Sequence, residues 1–450
     1  MASSKFSIIE ATIIFTRTTG ADIEVDVKPS VLEFRTYENI TKAYVDASIV
    51  FVDDFGLRDS LTAQGTERIR IVIGNPNDPE ELSISKTFFF AKITDSKKEA
   101  ERGEILAIDL VEEHVFINAV KSISRSFSSN IETIIETLMF NELGKEVERS
   151  DFTNSAQGTR KIVVPYMSPL EAVNWIKDRA TTKLGSPIYL RASLFSNKLL
   201  LSDFDSLMQR EAINAKFPFR YTIAGKSTDQ EELRPYFEII DYKELDANDL
   251  MMQYEEGNIG SYFATLDAGT GIESGKHVSV REIIDEFYVN NIISAESVQS
   301  LYDDTLIIGD KLSDDYDALH IFQVTSSNTY NQFLSYHDET VLLDDQDRII
   351  ESKLKVRNKI IRAMIKKNML DVGLDGRLFL EANINTGTKL RMIFLNSNSQ
   401  ADTLDVNNQI DKRKSGDYFI LAISHLFTGE KHNVVVRLSK LGELPKNFAL

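Results

Sequence analysis

Hydrophobic and polar residues alternate with a period of two along the first part of the chain. The clearest rows are Leu32–Thr36, Val45–Val52, Ile69–Ile73 and Ile105–Val111. A period of two predicts β-strands, because successive side chains of a strand point to opposite faces of the sheet. Gly74–Asn77 and Asp95–Lys98 carry turn or loop signals between these rows. Residues 1–118 are therefore predicted to form a small β-barrel or sandwich.

Helical spacing begins near residue 119. Apolar residues recur at i, i+3, i+4 and i+7 in Ile131, Ile134, Ile135 and Leu138. Ser129 and Glu132 have the spacing of a capping box, in which two side chains satisfy free backbone N–H groups where a helix begins. The pattern predicts a helix of about three turns that ends before Gly144.

The segment Lys161–Ala180, KIVVPYMSPLEAVNWIKDRA, combines a strand, a helix start and the only tryptophan. A β-branched run that ends at Pro165 predicts the strand. A second capping box begins at Ser168, and the proline that follows it suits the first helical position. Trp175 is predicted to pack in the core rather than to bind a ligand, as aromatic residues at helical spacing usually do.

The remaining chain alternates between strand and helix patterns. Pro187–Leu201 predicts a hairpin with its turn at Ser196-Asn197, a third capping box at Ser279–Glu282 predicts a helix, and Asp347–Asn368 has the longest helical pattern. Further predicted strands are Tyr236–Tyr242, Ile321–Val324, Arg377–Ala382, Lys389–Phe394, Tyr418–Ser424 and Asn433–Leu438, with a turn at Gly429-Glu430 before the last of them. The chain therefore has a predicted β block at each end.

Composition narrows the possible classes of protein. The chain has 450 residues, of which 42% are hydrophobic and 27% charged, so about three folded domains are expected. It has no cysteine, which excludes disulfides, thiolate metal sites and a cysteine nucleophile and fits a reducing cytoplasm. The first twenty residues lack the apolar core of a signal peptide, and no run approaches the ~20 apolar residues that cross a bilayer.

The formal net charge is −18, and no run of five or more lysines and arginines interrupts the acidic background. Tight DNA binding is disfavoured, because it depends on cationic contacts to phosphates. Solubility is the simplest explanation of this charge. An acidic surface would also suit a conduit through which DNA slides without sticking.

Histidines and acidic clusters are the residues that could form a metal-binding or catalytic site. The six histidines, at positions 114, 277, 320, 337, 425 and 432, show no HxxxH or HxH spacing, so no metal site is predicted. His425 is expected on the polar face of a strand. Asp314–Asp317 and Asp344–Asp347 lack the glycine and glutamate of a Ca²⁺ loop, and the second cluster is explained by the start of the long helix.

Two further patterns give only weak evidence for a catalytic or phosphate-binding site. Glu112-Glu113-His114 could suggest acid–base chemistry, but the sequence identifies no partner for it. Gly269-Thr270-Gly271 is not a phosphate loop, because no Gly-Lys-Ser/Thr follows. No catalytic, cofactor-binding or metal-binding residue is therefore predicted, and no cofactor is expected.

Five stretches, in order along nearly the whole chain, resemble the baseplate hub proteins of contractile-tailed bacteriophages. One is the segment Lys161–Ala180. The others are VLEFRTYENITKAYVDASIVFVDDFGL at Val31–Leu57, SISRSFSSNIETIIETLM at Ser122–Met139, FEIIDYKELDANDLMMQYEEGNIGSYFATLDAGTG at Phe237–Gly271 and KSGDYFILAISHLFTGEKHNVVVRLSKLG at Lys414–Gly442.

The resemblance implies a multidomain α+β fold with two tail-tube-like antiparallel β-barrel domains, a mixed α/β central domain and an inserted domain. The expected boundaries are residues 1–118 for the first tube-like domain, 119–215 for the central domain, 216–275 for the start of the second tube-like domain, 276–345 for the inserted domain, and 346–450 for the long helix and the remainder of the second tube-like domain.

The resemblance also implies a mechanical function and no enzyme activity. Three copies are expected to form a pseudo-sixfold ring that joins a threefold central spike to a sixfold tail tube and leaves a channel. The expected partners are two further copies of the chain, the central spike protein, a tail tube or tube-initiator protein, baseplate wedge proteins and the tape measure protein. DNA would only pass through the channel, and the protein itself would bind no membrane. The expected location is the virion baseplate, after synthesis in the cytoplasm of the host bacterium.

Two alternatives remain open at this point. The first is a tail-associated cell-wall hydrolase or glycan-binding protein, for which one tryptophan and no clustered acid–base set are poor support. The second is the equivalent hub of a contractile injection or secretion system, which shares the same mechanics.

Overall fold

The structure is a computed structural model. It describes residues 6–16, 22–54, 56, 67–98, 104–153, 155, 158–178, 180–221, 237–245, 260–267, 273–293, 307–308, 311–312, 319–325, 345–366, 368–395, 410–411, 413–429, 431–442 and 444. The acidic cluster Asp314–Asp317, the glycines at Gly269–Gly271, His337 and Glu430 lie outside these residues.

The described strands run along the whole chain. They are β1 (Ser7–Thr16), β2 (Asp22–Asp26), β3 (Val31–Asn39), β4 (Asp46–Asp53), β5 (Arg68–Asn75), β6 (Asp78–Lys98), β7 (Glu104–Val111), β8 (Ile123–Asn130), β9 (Val147–Arg149), β10 (Thr159–Met167), β11 (Ile188–Ser193), β12 (Ser196–Asp203), β13 (Phe219–Tyr221), β14 (Ile239–Leu245), β15 (Gly260–Asp267), β16 (Glu273–Ser279), β17 (Ile307–Ile308), β18 (Lys311–Leu312), β19 (Leu319–Thr325), β20 (Met369–Asp375), β21 (Lys389–Phe394), β22 (Gly416–Thr428) and β23 (Lys431–Gly442).

The described helices lie between the strands. They are α1 (Glu113–Val120), α2 (Ile131–Leu143), α3 (Pro169–Lys177), α4 (Phe204–Met208), α5 (Val280–Val289), α6 (Asp345–Ile365) and α7 (Arg377–Glu381), and a 3₁₀ turn spans Lys28–Ser30. Mostly antiparallel strands with a few helices make this an α+β fold, as the resemblance implies.

One sheet of 13 strands joins the two β blocks of the chain. Its path runs β14-β20-β23-β22-β3-β4-β7-β6-β5-β1-β2, and β21 and β13 branch from β22. The sheet crosses from one block to the other where β3 pairs with β22. Among the described strands the path is open at both ends, so strand pairing does not close the predicted barrels, and their number stays a prediction.

The two blocks repeat one strand order. In the first block the neighbours are β3-β4-β7-β6, and in the second they are β14-β20-β23-β22. Each group of four places its first, second, fourth and third strands side by side. In the first block β5 pairs with the first part of β6, and in the second block β21 pairs with the first part of β22. The predicted periodicities of the sequence do not show this likeness, because they carry no information about which strands are neighbours.

Four smaller sheets of described strands lie outside the main one. Strands β8 and β10 form an antiparallel ribbon, β11, β12 and β9 form a second sheet, and β16, β15 and β19 form a third, with β17 and β18 paired separately. The domain boundaries stay predictions.

The first β block differs from prediction at one loop. The turn signal at Gly74–Asn77 is confirmed as a turn at Pro76-Asn77 between β5 and β6, but Asp95–Lys98 is strand rather than loop. This stretch is the end of the long strand β6, in which Lys98 pairs with Glu104 of β7. Pairing with the next strand of the chain therefore overrides the local turn propensity of this polar stretch.

Two helix starts in the central region have different outcomes. The capping box at Ser168 is confirmed, with the Ser168 backbone N–H donating to Glu171 Oε2 at 3.4 Å and proline at the first helical position. The box at Ser129 is wrong: Asn130 caps α2, and the buried Glu132 accepts a hydrogen bond from the Ser155 hydroxyl instead. The predicted end of this helix is confirmed, because Gly144 takes the left-handed conformation at φ 66°.

The hairpin and the last β block show two further differences. The turn between β11 and β12 lies at Leu194-Phe195, two residues before the predicted position. Arg377–Ala382, predicted as a strand, is the short helix α7. The strand is β20, which precedes it, and the Asp375 carboxylate then accepts a hydrogen bond from the Arg377 N–H at 2.9 Å and begins a turn.

The other C-terminal predictions hold. Strand β21 has the predicted bounds, β22 and β23 contain the predicted strands, and α6 confirms the longest helix. Ser279 accepts a hydrogen bond from the Glu282 N–H at 3.1 Å and caps α5, as predicted. Trp175 is half-buried and packs against the largest apolar core cluster, which extends from the first β block into the central region.

Candidate functional site

The most distinctive site is the junction at which the two β blocks meet. Strand β3 pairs with β22 antiparallel over six residue pairs, from Phe34 opposite Phe427 to Asn39 opposite Ala422. The Ile40 N–H donates to the Leu421 carbonyl at 2.9 Å and extends the pairing past the end of β3. Phe34 and Phe427 are buried with ring centroids 6.1 Å apart, so the junction is packed as well as hydrogen-bonded.

Two histidines lie in the core beside this junction. His425 of β22 and His432 of β23 are 0% and 2% exposed, and His425 Nδ1 lies 3.1 Å from His432 Nε2. The expectation that His425 occupies a polar strand face is therefore wrong: it shares the buried face of β22 with Ile423 and Phe427. The polar character of histidine misleads the prediction. Ile423 and Phe427, two residues to either side of His425, are apolar and point to the same face of the strand, and this face lies in the core.

Burial keeps the histidine pair neutral. Desolvation lowers the pKa of His425 to about 3, and desolvation together with His425 lowers the pKa of His432 well below its ordinary value. The rings of Phe427 and His432 are stacked at 4.2 Å. A neutral, stacked pair packs between the two strands of the β22–β23 hairpin.

A cluster of buried charges lies under the first β block. Glu112, at the start of α1, lies 3.6 Å from Lys86 Nζ and 3.2 Å from Lys145 Nζ through its Oε1 atom. Its Oε2 atom accepts a hydrogen bond from the Val45 N–H at 2.9 Å. Burial opposes ionisation of Glu112, but the two lysines outweigh this effect and lower its pKa. Glu112 is therefore held as a carboxylate between two cations.

The same cluster reaches the hairpin formed by β11 and β12. Lys86 Nζ donates to the Ser196 carbonyl at 2.6 Å, and Lys145 Nζ donates to the Asn197 carbonyl at 3.2 Å. Glu38 of β3 accepts a hydrogen bond from the Leu194 N–H at 2.6 Å. Lys86 and Glu38 thus attach the hairpin tip to the first β block through buried or part-buried contacts, whereas the Lys145 contact is exposed and lies within the central region.

Glu38 is the most perturbed carboxyl group of this cluster. It is fully buried, and desolvation raises its pKa to about 7, against the opposing effects of Leu194 and of Lys86 and Arg191. Arg191 itself is 1% exposed and donates from Nη1 to the Asn385 amide oxygen at 2.9 Å. The charged groups therefore connect the hairpin with both β blocks.

These contacts supply the partners that the sequence does not identify for Glu112-Glu113-His114. The partners of Glu112 are Lys86 and Lys145, and His114 Nε2 lies 2.8 Å from the Ala43 carbonyl. Lysines far away in the sequence carry no local signal of this pairing. The alternation of β3 does carry a signal for Glu38, because it has the same parity as the buried Phe34 and Thr36.

The described histidines and acidic residues do not form a metal site. No group of three or more His, Cys, Asp or Glu side chains in the described part of the chain could hold a metal ion. His277 lies in β16, His320 lies in β19, and the described part of Asp344–Asp347 begins α6. No helix among the described residues is long and apolar enough to cross a bilayer.

Comparisons with known proteins identify the fold. No family model and no curated protein matches the sequence. Among solved structures, a tail protein of Neisseria meningitidis aligns over 97% of this chain and 96% of its own length, with a TM-score of 0.51 at 10% identity. The 43 kDa tail protein of prophage MuSo2 from Shewanella oneidensis aligns over 97% of this chain and 100% of its own, with a TM-score of 0.50 at 9% identity. The resemblance to tail hub proteins is confirmed at the level of the fold: over nearly its whole length, this chain has the fold of these tail proteins.

Proposed function

We propose that this protein is a structural hub in the baseplate of a contractile tail. Three copies form a pseudo-sixfold ring, which joins a threefold central spike to a sixfold tail tube and leaves a channel for the tape measure protein and DNA. The tail proteins with the same fold support this proposal, since their architecture covers the whole chain rather than one module.

The observation that carries the proposal is the repeated strand order within one continuous sheet. The groups β3-β4-β7-β6 and β14-β20-β23-β22 place two similar units side by side in a single chain. Three such chains around a threefold axis present six similar units. A ring of this kind offers threefold contacts on one side and nearly sixfold contacts on the other.

The buried charge cluster suits a part that transmits force. The hairpin tip is attached to β3 by Glu38 and to the Lys86–Glu112–Lys145 group by two backbone carbonyls. Breaking a buried ion pair leaves an uncompensated charge, which costs ~3–5 kcal/mol. These contacts therefore hold the central region on the first β block in one fixed arrangement.

The partners follow from this position in the baseplate. They are two further copies of the chain, the central spike protein, a tail tube or tube-initiator protein, wedge proteins and the tape measure protein. The protein is located in the virion and acts mechanically, without a cofactor. The equivalent hub of an injection or secretion machine would work in the same way.

Measuring the native mass by multi-angle light scattering tests the proposal. Three copies of the 51.0 kDa chain are expected, either for the protein alone or after mixing with its spike protein. A stable monomer that remains a monomer in the presence of that spike protein would contradict the proposed ring.

A further inference from the structure

The junction between the two β blocks buries polar atoms that have no hydrogen-bond partner. They are Thr36 Oγ1 and Glu38 Oε2 on β3 and His425 Nε2 on β22, and none of them bonds to another atom of the described residues. All three residues are 0% exposed. Buried polar groups of folded proteins are almost always paired, either with protein groups or with ordered water. Three such atoms at one junction therefore need a common explanation.

Strand pairing brings the three side chains together. Thr36 lies directly opposite His425 in the antiparallel pairing of β3 with β22. Opposite residues of such a pair point to the same face, with Cβ atoms ~4.5–5.5 Å apart. Glu38 lies two residues after Thr36 and is buried on the same face of β3. The unpartnered atoms therefore belong to adjacent positions on one buried face.

The tip of the β11–β12 hairpin covers these positions. The Leu194 N–H donates to Glu38 Oε1 at 2.6 Å, so Oε2 is the free oxygen of the carboxyl group. The next residue, Phe195, meets the His425 ring edge-on with centroids 6.3 Å apart. The Phe379 ring lies 6.4 Å from the same imidazole and is also edge-on. The polar atoms therefore lie in apolar surroundings that are closed to bulk solvent.

The histidine pair fixes the direction in which His425 donates. His432 Nδ1 has no partner and lies against Gly376, where a Cβ atom would come within 2.2 Å of it. A buried N–H costs more at this place than a bare nitrogen, because the neighbouring Cα–H can donate weakly but cannot accept. His432 therefore carries its proton on Nε2 and donates to His425 Nδ1 at 3.1 Å. His425 is then protonated at Nε2, on the far side of its ring from His432.

We propose that an ordered water molecule binds between Thr36, Glu38 and His425 and joins the hairpin tip to the junction of the two β blocks. The water accepts a hydrogen bond from His425 Nε2–H and exchanges hydrogen bonds with Glu38 Oε2 and the Thr36 hydroxyl. Three partners are the usual number for a buried water. The site lies within one chain and goes beyond the proposed function, so its test does not depend on the ring.

Water suits this site better than a fixed protein group does, because the Glu38 carboxyl group changes its role with pH. Its pKa of about 7 allows both the carboxylate, which accepts, and the protonated form, which donates, near neutral pH. A water molecule can donate to the first form and accept from the second. Three charged groups also act on Glu38, and none of them bonds to Oε2: Lys86 on β6, Arg191 on β11 and Glu112 at the start of α1.

The water extends the histidine pair into a continuous path of hydrogen bonds. The path begins at His432 on β23 and reaches His425 on β22. It continues through the water to Glu38 on β3 and ends at the Leu194 N–H of the hairpin tip. Three strands of the main sheet and the central region are thus joined at one point.

A crystal or cryo-electron microscopy structure of the full chain, at a resolution that shows ordered water, tests the site directly. Density for one water should lie ~2.7–3.2 Å from Thr36 Oγ1, Glu38 Oε2 and His425 Nε2. A direct hydrogen bond between Glu38 and His425, or well-defined side chains with no density between them, would overturn the proposal.

The Thr36 hydroxyl gives a second test, because the two possibilities predict opposite signs. Thr36→Val keeps the shape of the side chain and removes only the hydroxyl group. If that hydroxyl binds the water, the variant should unfold at a lower urea concentration than the wild type. If the hydroxyl has no partner, its removal should leave the midpoint unchanged or raise it, and this result would overturn the proposal.

Discussion

Glu38→Gln should change how the stability of the protein depends on pH. Glu38 is fully buried, and its pKa is raised from 4.5 to about 7 by desolvation. As the pH rises through this window, an unfolded chain loses the Glu38 proton before the folded chain does. The contribution of Glu38 to the free energy of unfolding is therefore fully present below pH 4.5 and is lost as the pH rises through about 7.

The size of the effect follows from the two pKa values. A difference of about 2.5 pH units at ~1.36 kcal/mol each gives about 3 kcal/mol of stability lost by about pH 8. Glutamine resembles the protonated carboxyl group and keeps an oxygen that can accept the Leu194 N–H. The variant should match the wild type near pH 4.5 and be more stable by up to about 3 kcal/mol near pH 8.

Urea unfolding at pH 5 and pH 8, followed by circular dichroism and by the fluorescence of the single tryptophan, measures this difference at equal protein concentration. Glu33→Gln on the same strand is the matched control, because it makes the same chemical change at a side chain that is 34% exposed. A difference between Glu38→Gln and wild type that does not change with pH, or a variant less stable than wild type at pH 8, would refute the reasoning.

Three further outcomes are expected. Burial lowers the pKa of His425 from 6.5 to about 3. The contribution of His425 to the free energy of unfolding is therefore present above pH 6.5 and should be lost as the pH falls, by up to about 5 kcal/mol. The stability of His425→Gln should fall less steeply with decreasing pH than that of the wild type. Glu112→Ala leaves the buried Lys86 and the half-buried Lys145 without their carboxylate. It should cost ~3–5 kcal/mol in urea unfolding, whereas the control Glu113→Ala should change little. Gly376→Ala places a methyl group 2.2 Å from His432 Nδ1 and should lower the melting temperature, with a cost of ~1–3 kcal/mol.

Each of these outcomes has a clear contradiction. Equal acid sensitivity of wild type and His425→Gln would show that the histidine pair does not control acid stability. If Glu112→Ala and Glu113→Ala were equally stable, the charge cluster would not hold the hairpin. An unchanged melting temperature for Gly376→Ala would mean that the close approach of α7 to the β22–β23 hairpin can relax at no cost.

The strands with one buried face could be predicted from the sequence, because their side chains alternate. This holds for β3, β4 and β5. The starts of α3 and α5 could also be predicted, because their capping residues have a recognisable spacing. Prediction fails where pairing with another strand overrides the local composition. Asp95–Lys98 has the composition of a loop, yet it is strand because its backbone pairs with β7, the next strand of the chain.

The candidate site could be predicted only in small part. Glu38 has the parity of buried residues in its strand, which is a usable signal. The lysines that surround Glu112 come from β6 and from the loop after α2, so only the folded chain brings them together. The histidine pair depends on the register of β22 with β23, and no spacing rule for metal ligands applies to it.

The central claim is that three copies, each carrying two similar units, form a ring around a channel. Cryo-electron microscopy of the assembled particle, averaged in projection along the ring axis, tests this claim most directly. The account predicts three chains and six similar densities around a central channel. A ring with a different number of chains, or a particle without a central channel, would contradict it.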